Sequence, residues 1–201
     1  MLKIREIFPS IQGEGPYSGH PAVFVRLAGC NLHCSFCDEH HAEPFTEMTD
    51  EEVEACVIQV ANESKVPVKL VVVTGGEPFL QNFGLLVKKL MMNRSFQIQV
   101  ETNGTIYQPQ FPYAMTTLVC SPKPGSEVHP EYRTLVGAWK FLVKEGDEAP
   151  GQDVPHHRIF IQPLDEQDFD KNQRNMLWAA QMCMENGYRL SLQLHKIVGV
   201  P

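Results

Sequence analysis

Cys30, Cys34 and Cys37 crowd the segment Gly29-Cys30-Asn31-Leu32-His33-Cys34-Ser35-Phe36-Cys37-Asp38, a C-x3-C-x2-C pattern. Thiolates this close in the chain can converge on one metal centre, and soft sulfur ligands select zinc or an iron–sulfur cluster. A structural zinc site is closed by four protein ligands. No second close-spaced Cys pair follows, so the fourth ligand would fall to His33, His40 or His41. On a cubane of four irons, three Cys leave one iron open to an external chelator. The other cysteines read differently. Cys56 and Cys183 fall on apolar helical stripes and Cys120 ends an apolar run, positions where buried Cys packs as a small hydrophobe. In a reducing cytosol all six are free or metal-bound rather than paired as disulfides.

Other residues able to bind a ligand stand where apolar runs end. Val71-Val72-Val73-Thr74-Gly75-Gly76-Glu77-Pro78 is a strand entering a tight turn. Its glycines permit close backbone approach, and Pro78 can start a helical segment. Glu101-Thr102-Asn103-Gly104 follows the next run, and its Asn-Gly pair would be explained by turn formation alone. Ser121-Pro122-Lys123 and Gln162-Pro163-Leu164-Asp165 end two later ones. Four polar strand ends of this kind predict a shared pocket.

The elements that must carry these residues alternate in type. Ala22–Leu27, Lys69–Val73, Gln97–Val100, Thr117–Cys120, Ala138–Val143, Arg158–Ile161 and Arg189–Gln193 read as strands. Leu70 to Val73 is apolar on both faces, as a buried parallel strand should be. Thr49 with Glu52 matches a capping box, and Val53, Cys56, Val57, Val60 and Ala61 then recur at helical spacing. Leu85 to Met92 suits a second helix. Phe169 to Asn186 suits a third, with Met176, Leu177, Ala180, Cys183 and Met184 on its apolar side and Gly187 as its stop. Glu145 to Pro155, rich in Gly, Pro and acids, reads as an exposed loop. Strand–helix alternation predicts an α/β fold with a largely parallel sheet, whose functional residues gather at the carboxyl ends of the strands.

The 201 residues suit one domain spanning 1–201. A charge balance of 17 basic against 24 acidic residues gives −7, which argues against DNA or RNA as a partner. No apolar run is long enough to span a bilayer, and the first residues lack a signal-peptide h-region, so a cytoplasmic location is expected.

The cysteine segment resembles that of the radical S-adenosylmethionine (SAM) superfamily, in which an aromatic residue precedes the third Cys, as Phe36 does here. Gly75-Gly76-Glu77-Pro78 matches the superfamily's Gly-Gly-Glu-Pro motif. The resemblance implies that Cys30, Cys34 and Cys37 hold a [4Fe-4S] cluster, that SAM chelates the open iron, and that one electron cleaves SAM to methionine and a 5′-deoxyadenosyl radical. The cofactors carry that chemistry and the protein positions and shields them.

Further stretches narrow the resemblance. Glu6-Ile7-Phe8-Pro9-Ser10-Ile11-Gln12-Gly13-Glu14-Gly15, Phe24 to Cys30, Ser-Pro-Lys at 121–123, Gln-Pro-Leu-Asp at 162–165 and Ser191 to Pro201 are together similar to the 7-carboxy-7-deazaguanine synthase family, nearly end to end. The family implies an incomplete parallel β/α barrel of the radical SAM type, acting as a homodimer and reduced by an electron-donor protein. It converts 6-carboxy-5,6,7,8-tetrahydropterin to 7-carboxy-7-deazaguanine with loss of ammonia, on the route to preQ0 and queuosine. Its radical takes hydrogen from C6, and SAM is regenerated.

Carried over by position, Phe36, Cys37, Asp38, Gly76, Glu77, Ser121, Pro122, Lys123, Gln162, Pro163, Leu164 and Asp165 would line SAM. Ile11, Gln12, Gly13, Glu14, Arg26, Thr74 and the terminal Pro201 would contact the pterin. The Arg26 guanidinium suits the substrate's planar carboxylate; its plain alternative is an ordinary pairing with an acid. Glu14 could accept pterin N–H bonds or serve a turn or salt bridge, and His195 stays outside this set. Family members place a Mg²⁺-ligating Thr after Cys-Asp, where this chain has Glu39, a hard oxygen ligand suited to magnesium. The rivals are a radical SAM activase acting on a protein glycine and a non-catalytic zinc-binding module.

Overall fold

A computed structural model describes residues 1–37, 44–151 and 153–201. Its strands are β1 (Leu2–Ile11), β2 (Pro21–Leu27), β3 (Thr46–Met48), β4 (Leu70–Gly75), β5 (Gln97–Thr102), β6 (Thr117–Cys120), β7 (Ala138–Val143), β8 (Ile159–Pro163) and β9 (Arg189–Leu190). Its helices are α1 (Asp50–Asn62), α2 (Gly84–Arg94), α3 (Tyr132–Leu135), α4 (Phe169–Asn186) and α5 (Leu194–Val198). All the strands lie in one sheet, ordered β3-β1-β2-β4-β5-β6-β7-β8-β9. From β2 to β9 neighbours run parallel, while β1 is antiparallel to both β2 and β3. The sheet does not close, so this is an incomplete β/α barrel.

Strand parity divides each strand's side chains between two cores. Val71, Val73, Val23, Val25, Ile98 and Val100 face outward and pack with Val53, Val57 and Ala61 of α1 and Leu86, Val87 and Leu90 of α2. The alternate residues Leu70 and Val72 pack inward with Ala22, and Val119, Ala138 and Phe160 form a second inner layer. The central valines are fully buried, each worth roughly 1.5–3 kcal/mol relative to exposure. Above these layers the inward positions turn polar, which builds a floored cup rather than a filled barrel.

The helix ends follow local chemistry. Thr49 Oγ1 accepts from Glu52 N at 3.2 Å while Thr49 N donates to Glu52 Oε2 at 2.8 Å, the expected capping box. Asp168 caps α4 by accepting from Lys171 N at 3.0 Å, and Gly187 ends it with φ 69°. The face that α4 buries differs from the expected one. Asn175, Ala179, Met182 and Cys183 point inward, and Leu177 and Met184 are 72% and 79% exposed. The helix is rotated because Asn175 is drawn into the base of the loop after β8, donating to Leu164 O at 2.9 Å and accepting from Glu145 N at 2.9 Å.

β1 and β3 lay outside the expected strands, as did α3 and α5. β1 is long, yet one face is largely solvated, so its apolar alternation is weak. Among the described residues no helix is long and apolar enough to cross a membrane.

Candidate active site

The carboxyl ends of the parallel strands and the loops after them enclose a cavity of about 240 Å³. Parallel pairing sets the strand ends level: Arg26 lies beside Thr74, Thr102 beside Cys120, and Leu142 beside Gln162. Inward parity then turns Arg26, Thr74, Glu101, Lys140 and Gln162 onto one wall.

Cys30, Cys34, Cys37 and Phe36 form one rim of this cavity. Burial pushes the Cys30 thiol above its ordinary pKa, and the charges of Glu77, Cys34 and Cys37 add to that rise. A positive centre is what would reverse it, since thiolates are the metal-binding form. Among the described residues no three His, Cys, Asp or Glu side chains are gathered tightly enough to hold a metal ion. Thiols spread along a rim suit a cluster whose irons are spread over a cube, and Cys is the usual ligand of such clusters. Asp38 and Glu39, and with them the candidate magnesium ligand, lie outside the described residues, as do His40 and His41.

The glycine turn abuts this rim. A Cβ on Gly76 would overlap Gly29 O and come within 2.6 Å of Cys30 Cβ, and one on Gly75, whose φ is +144°, would overlap the Leu27 backbone. Only glycine lets the turn lie this close to the cysteine loop. Glu77 does not line the cavity. It is fully buried and holds the turn from behind. Its Oε1 accepts from Phe79 N at 3.0 Å and Thr102 Oγ1 at 2.9 Å, and its Oε2 accepts from Asn103 N at 2.7 Å. Burial raises the Glu77 pKa despite these bonds. Asn103 extends the contact to the cysteine loop by donating to Asn31 Oδ1 at 3.1 Å.

Ser121, Lys123, Gln162, Leu164 and Asp165 line the cavity; Pro122 and Pro163 shape their turns without lining it. Lys123 Nζ donates to Ser121 Oγ at 2.8 Å, and burial lowers its pKa, helped by the nearby Lys140 charge. Asp165 is held at about 2 by the Gln167 backbone N–H, then by Asn172 and Lys196.

Of the residues expected at the pterin, Gln12, Glu14, Arg26, Thr74 and Pro201 line the cavity, and Ile11 and Gly13 do not. Gly13 has no room for a side chain, because a Cβ there would overlap the His195 ring. Arg26 also has the acid partner of the plain reading: its Nε donates to Glu6 Oε1 at 2.6 Å, and its guanidinium lies 5.5 Å from the Phe8 ring. Phe8 stacks in turn on Phe24 at 5.3 Å, so two aromatic rings form an apolar wall next to the cation. Glu14 is 8% exposed and accepts from Lys140 Nζ, from Gln193 Nε2 at 2.9 Å and from Gln162 Nε2 at 3.2 Å.

The chain end closes the gap left by the open sheet. Gly15 N donates to Ser191 Oγ at 3.0 Å, Leu194 N to Gly13 O at 3.3 Å, and Ser10 Oγ to Pro201 O. The segment after β9 is thereby tied to the end of β1 and the segment that follows it, and Gln193, His195 and Pro201 reach the cavity.

The sequence motifs give no site role to Lys140 and leave Glu101 and His195 outside the expected set, yet all three line the cavity. Glu101 gathers the wall around it, accepting from Gln12 Nε2 at 3.1 Å, Gln99 Nε2 at 3.0 Å and Thr74 Oγ1 at 3.3 Å. Lys140 carried a legible signal. A lysine at the inward position of the otherwise apolar Ala138-Trp139-Lys140-Phe141-Leu142 needs a buried anion.

Residues 25–114 match the Radical SAM superfamily. The chain is 37% identical to the 7-carboxy-7-deazaguanine synthase of Bacteroides thetaiotaomicron, covering 100% of this chain and 99% of that one. It is 37% identical to the synthase of the same name from Rickettsia prowazekii, covering 99% and 88%. Its fold is similar to that of the crystal structure of QueE from Escherichia coli, with a TM-score of 0.76 at 24% identity over 96% of this chain and 93% of that one. With full-length relatives this similar, the chain belongs to the 7-carboxy-7-deazaguanine synthase family of radical SAM proteins.

Proposed function

We propose that the protein is a 7-carboxy-7-deazaguanine synthase, a radical SAM lyase that converts 6-carboxy-5,6,7,8-tetrahydropterin to 7-carboxy-7-deazaguanine with loss of ammonia, in preQ0 and queuosine biosynthesis. The observation that carries this reading is the placement of the cysteine rim, the glycine turn and an arginine beside an aromatic wall around one cavity. When bound, a [4Fe-4S] cluster and SAM supply one-electron reduction and a radical able to abstract hydrogen from carbon.

The chain's own residues provide the rest. Cys30, Cys34 and Cys37 hold the cluster. Gly76 opens space for SAM beside it, with Glu77 fixing the turn. Phe36, Asp38, Ser121, Pro122, Lys123 and the Gln162–Asp165 stretch surround SAM, Lys123 bringing a donor cation and Asp165 an ionised acceptor. Arg26 grips the pterin carboxylate as a fork donor, exchanging its Glu6 partner for the ligand. Gln12, Glu14 and Thr74 address the polar edges of the ring system, with Ile11, Gly13 and Pro201 shaping that end. A cup floored by apolar layers and closed by the chain end keeps water from the reacting carbon.

Magnesium binds near Glu39 in this reading, where a carboxylate replaces a hydroxyl, and the enzyme works as a cytoplasmic homodimer reduced by an electron-donor protein. The test is anaerobic incubation of the reconstituted protein with SAM, a reductant, magnesium and the carboxypterin. Release of ammonia and a 7-deazapurine is expected, and an intact cluster with the pterin unchanged would overturn the assignment. Removal of divalent ions by chelation, with the cluster intact, is expected to slow turnover; an unchanged rate would remove magnesium from the account.

A further inference from the structure

The cavity wall contains a buried ion pair that, with two amides, joins four separate parts of the barrel. Lys140 rises from β7, Gln162 from β8 and Gln193 from the segment after β9, and all three donate to Glu14 in the segment after β1. Lys140 and Glu14 are 7% and 8% exposed. An ionised carboxylate has about four lone-pair sites. Among the described residues, protein donors occupy three of Glu14's, and the group still lines the cavity. The remaining acceptor site is therefore single and fixed in direction.

We propose that Lys140 is a positioning residue for ligand recognition: it keeps Glu14 ionised and, with Gln162 and Gln193, aims its one remaining lone pair at an N–H donor of the bound heterocycle. This rests on the reading that Glu14 addresses the pterin. Lys140 need not touch the ligand. Without its cation, Glu14 would be a buried acid hydrogen-bonded by the amides of Gln162 and Gln193.

The electrostatics agree with this geometry. Burial alone would raise the Glu14 pKa; the Lys140 charge and hydrogen bond, then Gln193 and His195, outweigh it and hold the carboxyl well below its ordinary 4.5. Among the described residues, the charged and titratable groups that line the cavity beside the pair include Lys123 after β6, Glu101 on β5 and His195 on α5. Lys123 and His195 reinforce ionisation of Glu14. Glu101 reaches Glu14 only through Gln12, which donates to Glu101 and accepts from Glu14 N at 3.0 Å. Lys140 is the cation that bonds Glu14 directly, so it is the group whose removal should change the ionisation.

The test combines a titration with kinetics. The Glu14 carboxyl is followed by carbon NMR against pH in the unliganded full-length protein, wild type and Lys140→Met. The proposal expects the titration to move from below the ordinary range to above 4.5 in Lys140→Met, and Lys140→Arg to return it below. In the reconstituted enzyme, Lys140→Met should raise KM by roughly tenfold or more, the scale of a charged hydrogen bond. It should also move the acid limb of kcat/KM upward, and Lys140→Arg should restore part of both. An unmoved titration or an unmoved acid limb overturns the proposal. Should Lys140→Met not fold, the neutral pair Glu14→Gln/Lys140→Met replaces it. Against Glu14→Gln alone it should show no further rise in KM, because Lys140 acts through Glu14; a further rise overturns the proposal. The NMR titration needs no turnover, so loss of the pterin assignment would leave it readable and the two failures are distinct.

Discussion

A single carboxylate decides how the glycine turn meets the rest of the site. Glu77 receives two backbone N–H groups and one hydroxyl. Even when protonated, a carboxyl's hydroxyl oxygen can still accept, whereas the amide nitrogen of a glutamine cannot. Glu77→Gln should therefore cost about 1–3 kcal/mol, measured by urea unfolding of the cluster-free protein. The pH dependence has a definite sign. Burial raises the folded pKa above 4.5, so this group's stabilisation is full below that unfolded value and is lost as pH rises through the folded one. The gap between wild type and Glu77→Gln should narrow as pH rises past 4.5, and a widening gap would contradict the burial argument. At this scale the sequence was uneven. Cysteine spacing and the Gly-Gly turn were legible because geometry restricts those residue types. The motif marks Glu77 as a ligand neighbour, and its backbone follows the cavity-lining Gly76; nothing local tells that its side chain turns away into Thr102 and Asn103, which arrive from the next strand.

At the scale of elements, local signals were read well wherever they were chemically redundant. The box at Thr49 worked because two reciprocal bonds specify one helix start. Thr49→Ala should lower stability by about 1 kcal/mol with KM unchanged, since α1 packs on the outer core and not on the cavity. Thermal unfolding beside steady-state kinetics checks this, and a change in KM would show the outer layer to be coupled to the site. The long α4 was bounded correctly at Phe169 and Asn186, but its buried face was not. Leu177 and Met184 were assigned to the core by their apolarity, and the rotation is set by Asn175, a polar residue buried for its bonds to Leu164 and Glu145. Hydrophobic pattern locates a helix; buried polar anchors can override it in setting the rotation.

Across the whole molecule, an open parallel sheet brings distant residues level and leaves a gap that the chain end fills. The parallel order could be anticipated from strand–helix alternation. The antiparallel β1 could not, because its exposed face blurs the period-2 pattern, and it is β1 that carries Glu6 to Arg26 and the following segment that carries Glu14 to Lys140. The assembled cup contains a cysteine rim, a glycine turn, a cation beside stacked rings and a buried ion pair. These parts suit a reaction that begins with an electron at the rim and ends with a planar carboxylated heterocycle on the floor. The most direct test is the ratio of product to SAM consumed, measured by mass spectrometry in anaerobic turnover of the reconstituted enzyme with 6-carboxy-5,6,7,8-tetrahydropterin. Many molecules of 7-carboxy-7-deazaguanine per SAM consumed is the result expected; SAM cleaved by an intact cluster while the pterin stays whole would contradict the assignment.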